Sequence, residues 1–279
     1  SLALLYPFLN VGIDALRWQL LLRAISRPIA WSKLVRVNLV GMFFDNFLPA
    51  SIASDAYRTV CVSQQYISHE VLATVLLGRV LSWVGLTISA LLGLLALQNQ
   101  LPPHILWSGL LALGGGLCAI TFGFGLLIIL QRWHTYSWYH RLLLKWEYLA
   151  LFIKSINQLL TCRTMLMSLS LSWLLHAVVI AAVVVIAKAY GVLSEQLFSV
   201  ACVAPLGIVA YMLPIAIAGH GIREIAFIYF LAYLGIMPEV ALAISLSLYA
   251  TSIIASLIGG GVYIFGTVVH RKQNKHLST

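Results

Sequence analysis

LPASIASDAYR, residues 48–58, and LPIAIAGHGIR, residues 213–223, are near copies of one another, and their reading decides the fold. Each opens on Leu-Pro, places Ile-Ala three residues after the proline and puts an arginine nine residues after it. Pro49 and Pro214 lack the N–H that a helix interior uses, and Gly219 and Gly221 admit dihedrals that other residues avoid. Both segments therefore read as breaks between helices, tipped with polar groups.

The chain around them is apolar. Of 279 residues, 61% are hydrophobic and 9% charged, and the mean hydropathy is +0.97. A soluble domain carries roughly a quarter charged residues. Runs at 2–22, 71–97, 105–130, 164–187 and 241–267 each reach the ~17–25 residues that cross a hydrocarbon core. The expectation is an all-α, polytopic transmembrane helix bundle forming a single transmembrane domain over 1–279. Ser1 in place of Met reads as the loss of a short N-terminal piece. Residues 2–22 do not read as a secretory signal, because they hold Asp14 and Arg17 and lack a small-residue cleavage site.

The +9 net charge is unevenly placed. Arg23, Arg27, Lys33 and Arg36 follow the first run; Arg132, Arg141, Lys145, Lys154 and Arg163 separate the third and fourth; Arg271, Lys272 and Lys275 close the chain. The 98–104 connection has no Lys or Arg, and 188–197 sets Lys188 against Glu195. The positive-inside rule then puts 23–36, 131–163 and the C-terminus in the cytoplasm. Charge that follows sidedness argues against nucleic acid as a partner and for anionic lipid headgroups.

That orientation fixes the role of the repeated segments. Residues 37–70 must enter and leave on the cytoplasmic side, and 37–48 would cover only about 18 Å as a helix. Residues 198–235 must likewise dip in from the external face. Two re-entrant helical hairpins result, related by an inverted repeat: a first half over 1–104, a linking span and cytoplasmic amphipathic helix over 105–163, and a second half over 164–279. Inverted repeats with broken helices meeting at mid-depth mark transporters. In 137–160, Leu142, Trp146, Leu149, Ile153, Ile156 and Leu160 form the apolar stripe of the amphipathic helix. The glycines at 114–116 and 259–261 read as sites of close helix packing.

Ionisable residues at membrane depth are the candidates for function. Arg79 lies about 13 Å into its span, and reads either as an ion pair with Asp45 or Asp55 or as an anion site. Arg58 and Arg223 follow the two breaks, where a starting helix offers free N–H groups and a positive dipole end to a phosphate. Asp55 and Glu224 stand beside them as counter-charges, and His220 occupies the position of Asp55 in the second copy. Asp14 and Arg17, spaced i, i+3, read as a structural pair. The four cysteines, Cys61, Cys118, Cys162 and Cys202, are scattered and read mostly as buried apolar residues. No paired-carboxylate motif, HExxH, GxSxG, P-loop or metal-ligand spacing occurs, and no cofactor or metal is expected.

At its two hairpins the sequence resembles the membrane domain of the lysylphosphatidylglycerol synthase/flippase family of prokaryotic membrane proteins. FLPASIASDAYR keeps Leu48, Pro49, Asp55 and Arg58 of the family's first motif, with Ala50, Ala53 and Ser54 in place of glycines. MLPIAIAGHGIRE keeps Leu213, Pro214, Gly219, Gly221, Arg223 and Glu224 of the second. RWQLLLRA at 17–24 and Arg79 in LLGRVLSW also match, with Gly78 where an acid usually precedes that arginine. The resemblance implies movement of a lipid with an anionic or modified (aminoacylated or polyprenyl-phosphate-linked) headgroup between leaflets of the cytoplasmic membrane. Arg58, Arg79 and Arg223 would bind the headgroup, with Asp55, Glu224, His220 and Asp45 as counter-charges or gates. The 279 residues include no soluble aminoacyl-transferase domain, so lipid synthesis is not carried over. Two other readings stay open: a membrane-embedded enzyme acting on a lipid headgroup, and a scaffold for a separately encoded lipid transferase. Oligomeric state is open too.

Overall fold

The computed structural model describes residues 2–47, 52–132, 151, 155–156, 158–212 and 221–276. Every regular element among them is helical. After a short 3-10 turn at Leu2–Leu4 come α1 (Tyr6–Ala24), α2 (Trp31–Phe44), α3 (Ile52–Ser63), α4 (Ser68–Ala96) and α5 (Pro103–Arg132). They are followed by α6 (Cys162–Ala189), α7 (Leu197–Met212), α8 (Ile222–Ala232) and α9 (Pro238–His276). The breaks at Pro49 and at Pro214, Gly219 and His220 lie outside the described residues.

Four stretches are long and apolar enough to cross a membrane: Ser68–Ala96, Pro103–Gly123, Cys162–Ala189 and Pro238–Phe265. They correspond to four of the five expected spans. The fifth, α1, differs in chemistry: its 19 residues include Asp14, Arg17 and Arg23, and Arg17 is buried against protein. The outer surface is apolar, with Leu111 and Phe122 each 73% exposed and Phe265 74% exposed. In lipid such a surface costs nothing, whereas in water it would drive association.

The remaining helices are short. The 14 residues of α2 and 12 of α3 span about 21 and 18 Å, and the 16 of α7 and 11 of α8 about 24 and 17 Å, all under the ~30 Å core. Helix α2 packs on α3, and α7 on α8, forming two pairs of short helices. Between α2 and α3 the contact is tight: a Cβ on Gly41 would lie 3.0 Å from that of Ser54.

The helix neighbours follow a rule. Exchanging α1 with α6, α2 with α7, α3 with α8 and α4 with α9 maps each closely packed pair among these eight helices onto a packed pair. Thus α2 lies on α9 as α7 lies on α4, and α1 crosses α6, its own counterpart. The closest approaches match as well. A Cβ on Gly259 of α9 would come within 2.0 Å of the Leu39 carbonyl oxygen in α2; one on Gly93 of α4 would come within 2.3 Å of the Cys202 carbonyl oxygen in α7. Helix α5 stands apart on the edge, packed on α4. Gly114, Gly115 and Gly116 there, and Gly261 in α9, meet nothing within 4 Å, so the expected close packing holds at Gly259 and Gly260 and fails at these four.

Two apolar clusters divide the interior. One gathers around α7 and α8 with Leu94, Val183, Phe227 and Ile244. The other gathers around α2 and α3 with Trp18, Leu34, Val62 and Leu77. Ile156 and Leu160 of the expected amphipathic stripe pack on the second cluster, and most of that segment lies outside the described residues. Near the second cluster Arg27 Nε donates to Glu70 at 2.8 Å and the guanidinium lies over Tyr66, tying the α1–α2 loop to the start of α4. Of the cysteines, Cys118 and Cys162 are exposed and the other two half-buried, so none is the fully buried residue expected.

Candidate functional site

Between the two apolar clusters lies a cavity of about 360 Å³, mostly apolar in its lining but with a group of charged side chains on its walls. Its chemistry comes from Asp14 and Arg17 of α1, Asn38 of α2, Arg58 of α3, His176 of α6 and Arg223 of α8. The position follows from the sequence. Along α1, Tyr6 belongs to one cluster and Ala15, Trp18 and Leu21 to the other, so Asn10 and Asp14 fall in the seam. Along α4, Leu81 belongs to one cluster and Ala90 to the other, and Ser82 is the residue that faces the cavity.

Asp14 is the hub. One carboxylate oxygen accepts Arg17 Nη2. The other accepts Arg58 Nη2 at 2.7 Å and Asn38 Nδ2 at 3.1 Å. Arg17 extends to Ser172 Oγ on α6 at 2.9 Å, and Arg58 stacks over the Trp18 ring, 5.8 Å from its centroid. On the far wall Arg223 Nε donates to Ser245 Oγ at 2.9 Å, its Nη2 to Glu224, and its guanidinium faces Tyr249 at 5.4 Å. His176, 5% exposed, engages the Ser82 carbonyl oxygen at 3.0 Å. Tyr6 OH donates to the Leu248 carbonyl oxygen at 3.0 Å and also contacts Ser252 Oγ. Among the described residues no cluster of His, Cys, Asp and Glu is arranged to hold a metal ion.

Of the residues singled out from sequence, Arg58, Arg223 and Asp45 line this one cavity. Arg79 does not; its Nη1 lies 3.0 Å from Asp55 Oδ2, the ion pair that was one of its two readings. The helix starts are used differently from expectation. Arg58 sits in the second turn of α3, and the Ser54 N–H near that helix start is taken by Asp45 Oδ1 at 2.9 Å. At α8, Glu224 accepts the Gly221 N–H at 2.7 Å, where Gly221 adopts φ +89°, a conformation open to glycine. Each helix start is therefore met by a carboxylate from its own pair of short helices, and the arginines line the cavity.

Sequence reasoning missed Asp14, Arg17 and Asn38 as site residues. The i, i+3 pairing of Asp14 with Arg17 is present, yet both also line the cavity. Their signal was there: a carboxylate and a guanidinium in the middle of an apolar helix. Counted together, the four arginines 17, 58, 79 and 223 meet three carboxylates, with Arg17 and Arg58 sharing Asp14, Arg79 on Asp55 and Arg223 on Glu224, while Asp45 accepts the Ser54 N–H.

A family model described as the lysylphosphatidylglycerol synthase TM region matches residues 1–260. No curated protein matches the chain, and no solved structure does.

Proposed function

The chain belongs to the lysylphosphatidylglycerol synthase transmembrane-region family, and from that premise we propose that it is a lipid flippase. In this reading it moves a phospholipid with an anionic or modified headgroup between leaflets of a prokaryotic cytoplasmic membrane. One observation carries the reading: Arg58 and Arg223, from the two similar segments 165 residues apart in sequence, line the same cavity. A guanidinium offers paired N–H donors to a phosphate, and partial removal from water strengthens that attraction.

The two short helix pairs are then re-entrant hairpins of an inverted repeat, α2–α3 from the cytoplasmic face and α7–α8 from the opposite one, with the C-terminus in the cytoplasm. The exchange symmetry of the helix neighbours supports the repeat, and the basic loops support the orientation. The apolar clusters flank the cavity on each side, and rocking one half against the other would expose it to each leaflet in turn. Arg79 acts through Asp55, which releases it when α3 moves. A separately encoded lipid-modifying transferase would supply a modified lipid.

The test is leaflet exchange of fluorescent phosphatidylglycerol in proteoliposomes. The Arg58→Ala, Arg79→Ala, Arg223→Ala triple variant loses exchange while still reconstituting. Exchange at the wild-type rate in that variant overturns the proposal.

A further inference from the structure

Two polar atoms at the hub have no hydrogen-bond partner among the described residues: Asn38 Oδ1, an acceptor, and Arg58 Nε, a donor. Both are buried, and both residues line the cavity. Asn38 is only 2% exposed. Its amide orientation is fixed, because Nδ2 donates to the Asp14 carboxylate and the oxygen must therefore be the free end. Arg58 is held by Nη2 on that same Asp14 oxygen and by Trp18 beneath its plane. Arg223, by contrast, uses its Nε on Ser245 and its Nη2 on Glu224, and Arg17 spends Nη1 on Ser172 and Nη2 on Asp14. Asp14 thus holds a donor and an acceptor side by side, and Asn10 Oδ1, a second unpartnered acceptor, lines the same cavity.

Buried polar groups are rarely left unpaired, because each one costs its full desolvation penalty. A phosphodiester satisfies Arg58 Nε and does nothing for Asn38, since its free oxygens only accept. The missing partner must donate. Resting on the flippase reading above, we infer that this cavity selects phosphodiester lipids whose headgroup carries an O–H or N–H donor next to the phosphate, such as a hydroxyl or a primary ammonium. It discriminates against headgroups capped by a quaternary ammonium, which have a phosphate and no donor. In the selected headgroup the phosphate oxygen meets Arg58 Nε and the donor meets Asn38 Oδ1, with Asn10 beside it for a second donor.

The experiment measures binding of short-chain phosphatidylglycerol, phosphatidylethanolamine and phosphatidylcholine to the purified full chain in detergent. All three share the phosphodiester. The glycerol and ethanolamine headgroups are expected to bind about tenfold more tightly than choline, the effect of one buried hydrogen bond. Asn38→Leu, which removes the acceptor at similar volume along with the Nδ2 bond to Asp14, is expected to abolish the preference, so that all three lipids bind that variant alike. Glycerophosphoglycerol and glycerophosphocholine, without acyl chains, are measured beside them. The same preference in the soluble pair assigns recognition to the headgroup alone, and no binding of that pair assigns it to the intact lipid. Equal affinity of the wild-type protein for all three lipids overturns the inference and leaves the flippase reading standing. Binding of none of them overturns the flippase reading itself. The wild-type ranking needs no variant, so a poorly folding Asn38→Leu does not block the test.

Discussion

Gly259→Ala adds one methyl group where α9 crosses α2. That Cβ would sit 2.0 Å from the Leu39 carbonyl oxygen and 2.6 Å from its carbon, whereas carbon–oxygen contacts settle near ~3.3 Å. The obstacle is helix backbone, which has no rotamer to give, so α9 has to move away from α2 by about 1 Å. Overpacking of this kind costs roughly 1–3 kcal/mol, partly offset by the ~1 kcal/mol that alanine gains over glycine in a helix. Gly93→Ala meets the Cys202 carbonyl oxygen at 2.3 Å, so the counterpart crossing of α4 on α7 is expected to suffer equally. Gly115→Ala in α5 meets nothing within 4 Å and keeps only the helix gain. Thermal unfolding in detergent, followed by tryptophan fluorescence, is expected to show the first two variants melting several degrees below wild type and the third at or above it. Wild-type melting of Gly259→Ala, or an equal fall for Gly115→Ala, refutes the close-crossing argument.

Three further outcomes follow from the same contacts. Asp14→Asn removes the shared charge from Arg17 and Arg58; leaving a buried charge unpaired costs about 3–5 kcal/mol. The variant is expected to aggregate in size-exclusion chromatography, and adding Arg58→Gln is expected to recover a monodisperse peak in part. Tyr6→Phe deletes the hydroxyl that joins α1 to Leu248 and Ser252 of α9 and is expected to cost about 1 kcal/mol in the same melts. Arg27→Gln breaks a pair with Glu70 at the bundle edge and is expected to leave the melting temperature unchanged, because exposed ion pairs contribute little.

Much of the architecture was legible because the constraints behind it are local. Run length separated long helices from short ones, and the two Leu-Pro pairs fall between α2 and α3 and between α7 and α8, in stretches outside the described residues. What depended on which faces meet was not legible. The triplets Gly114–Gly116 and Gly259–Gly261 are identical as sequence, yet Gly259 presses on α2 while Gly115 meets nothing. Asp14 looked complete with Arg17 three residues away; its second arginine is 44 positions on, and Arg17 finds Ser172 at a separation of 155. Helical periodicity places a side chain on a face and carries no information about a partner so far along the chain. The glycine replacement Ser54 gained its meaning in the same way, through Gly41 on the neighbouring helix.

The pairing of arginines 17, 58, 79 and 223 with carboxylates 14, 55 and 224 has an electrical consequence. Moving one elementary charge through the membrane voltage takes about 2.3 kcal/mol per 100 mV. Arg17 with Asp14 and Arg223 with Glu224 are pairs within one helix; each moves as a unit without net charge, so the voltage does little work on it. Arg79 and Asp55 sit on different helices, and a rearrangement that parts them is one on which the voltage acts. Under the flippase proposal, a lipid bearing one negative charge is also driven in one direction by a polarised membrane, and a zwitterionic lipid is left to its concentration gradient.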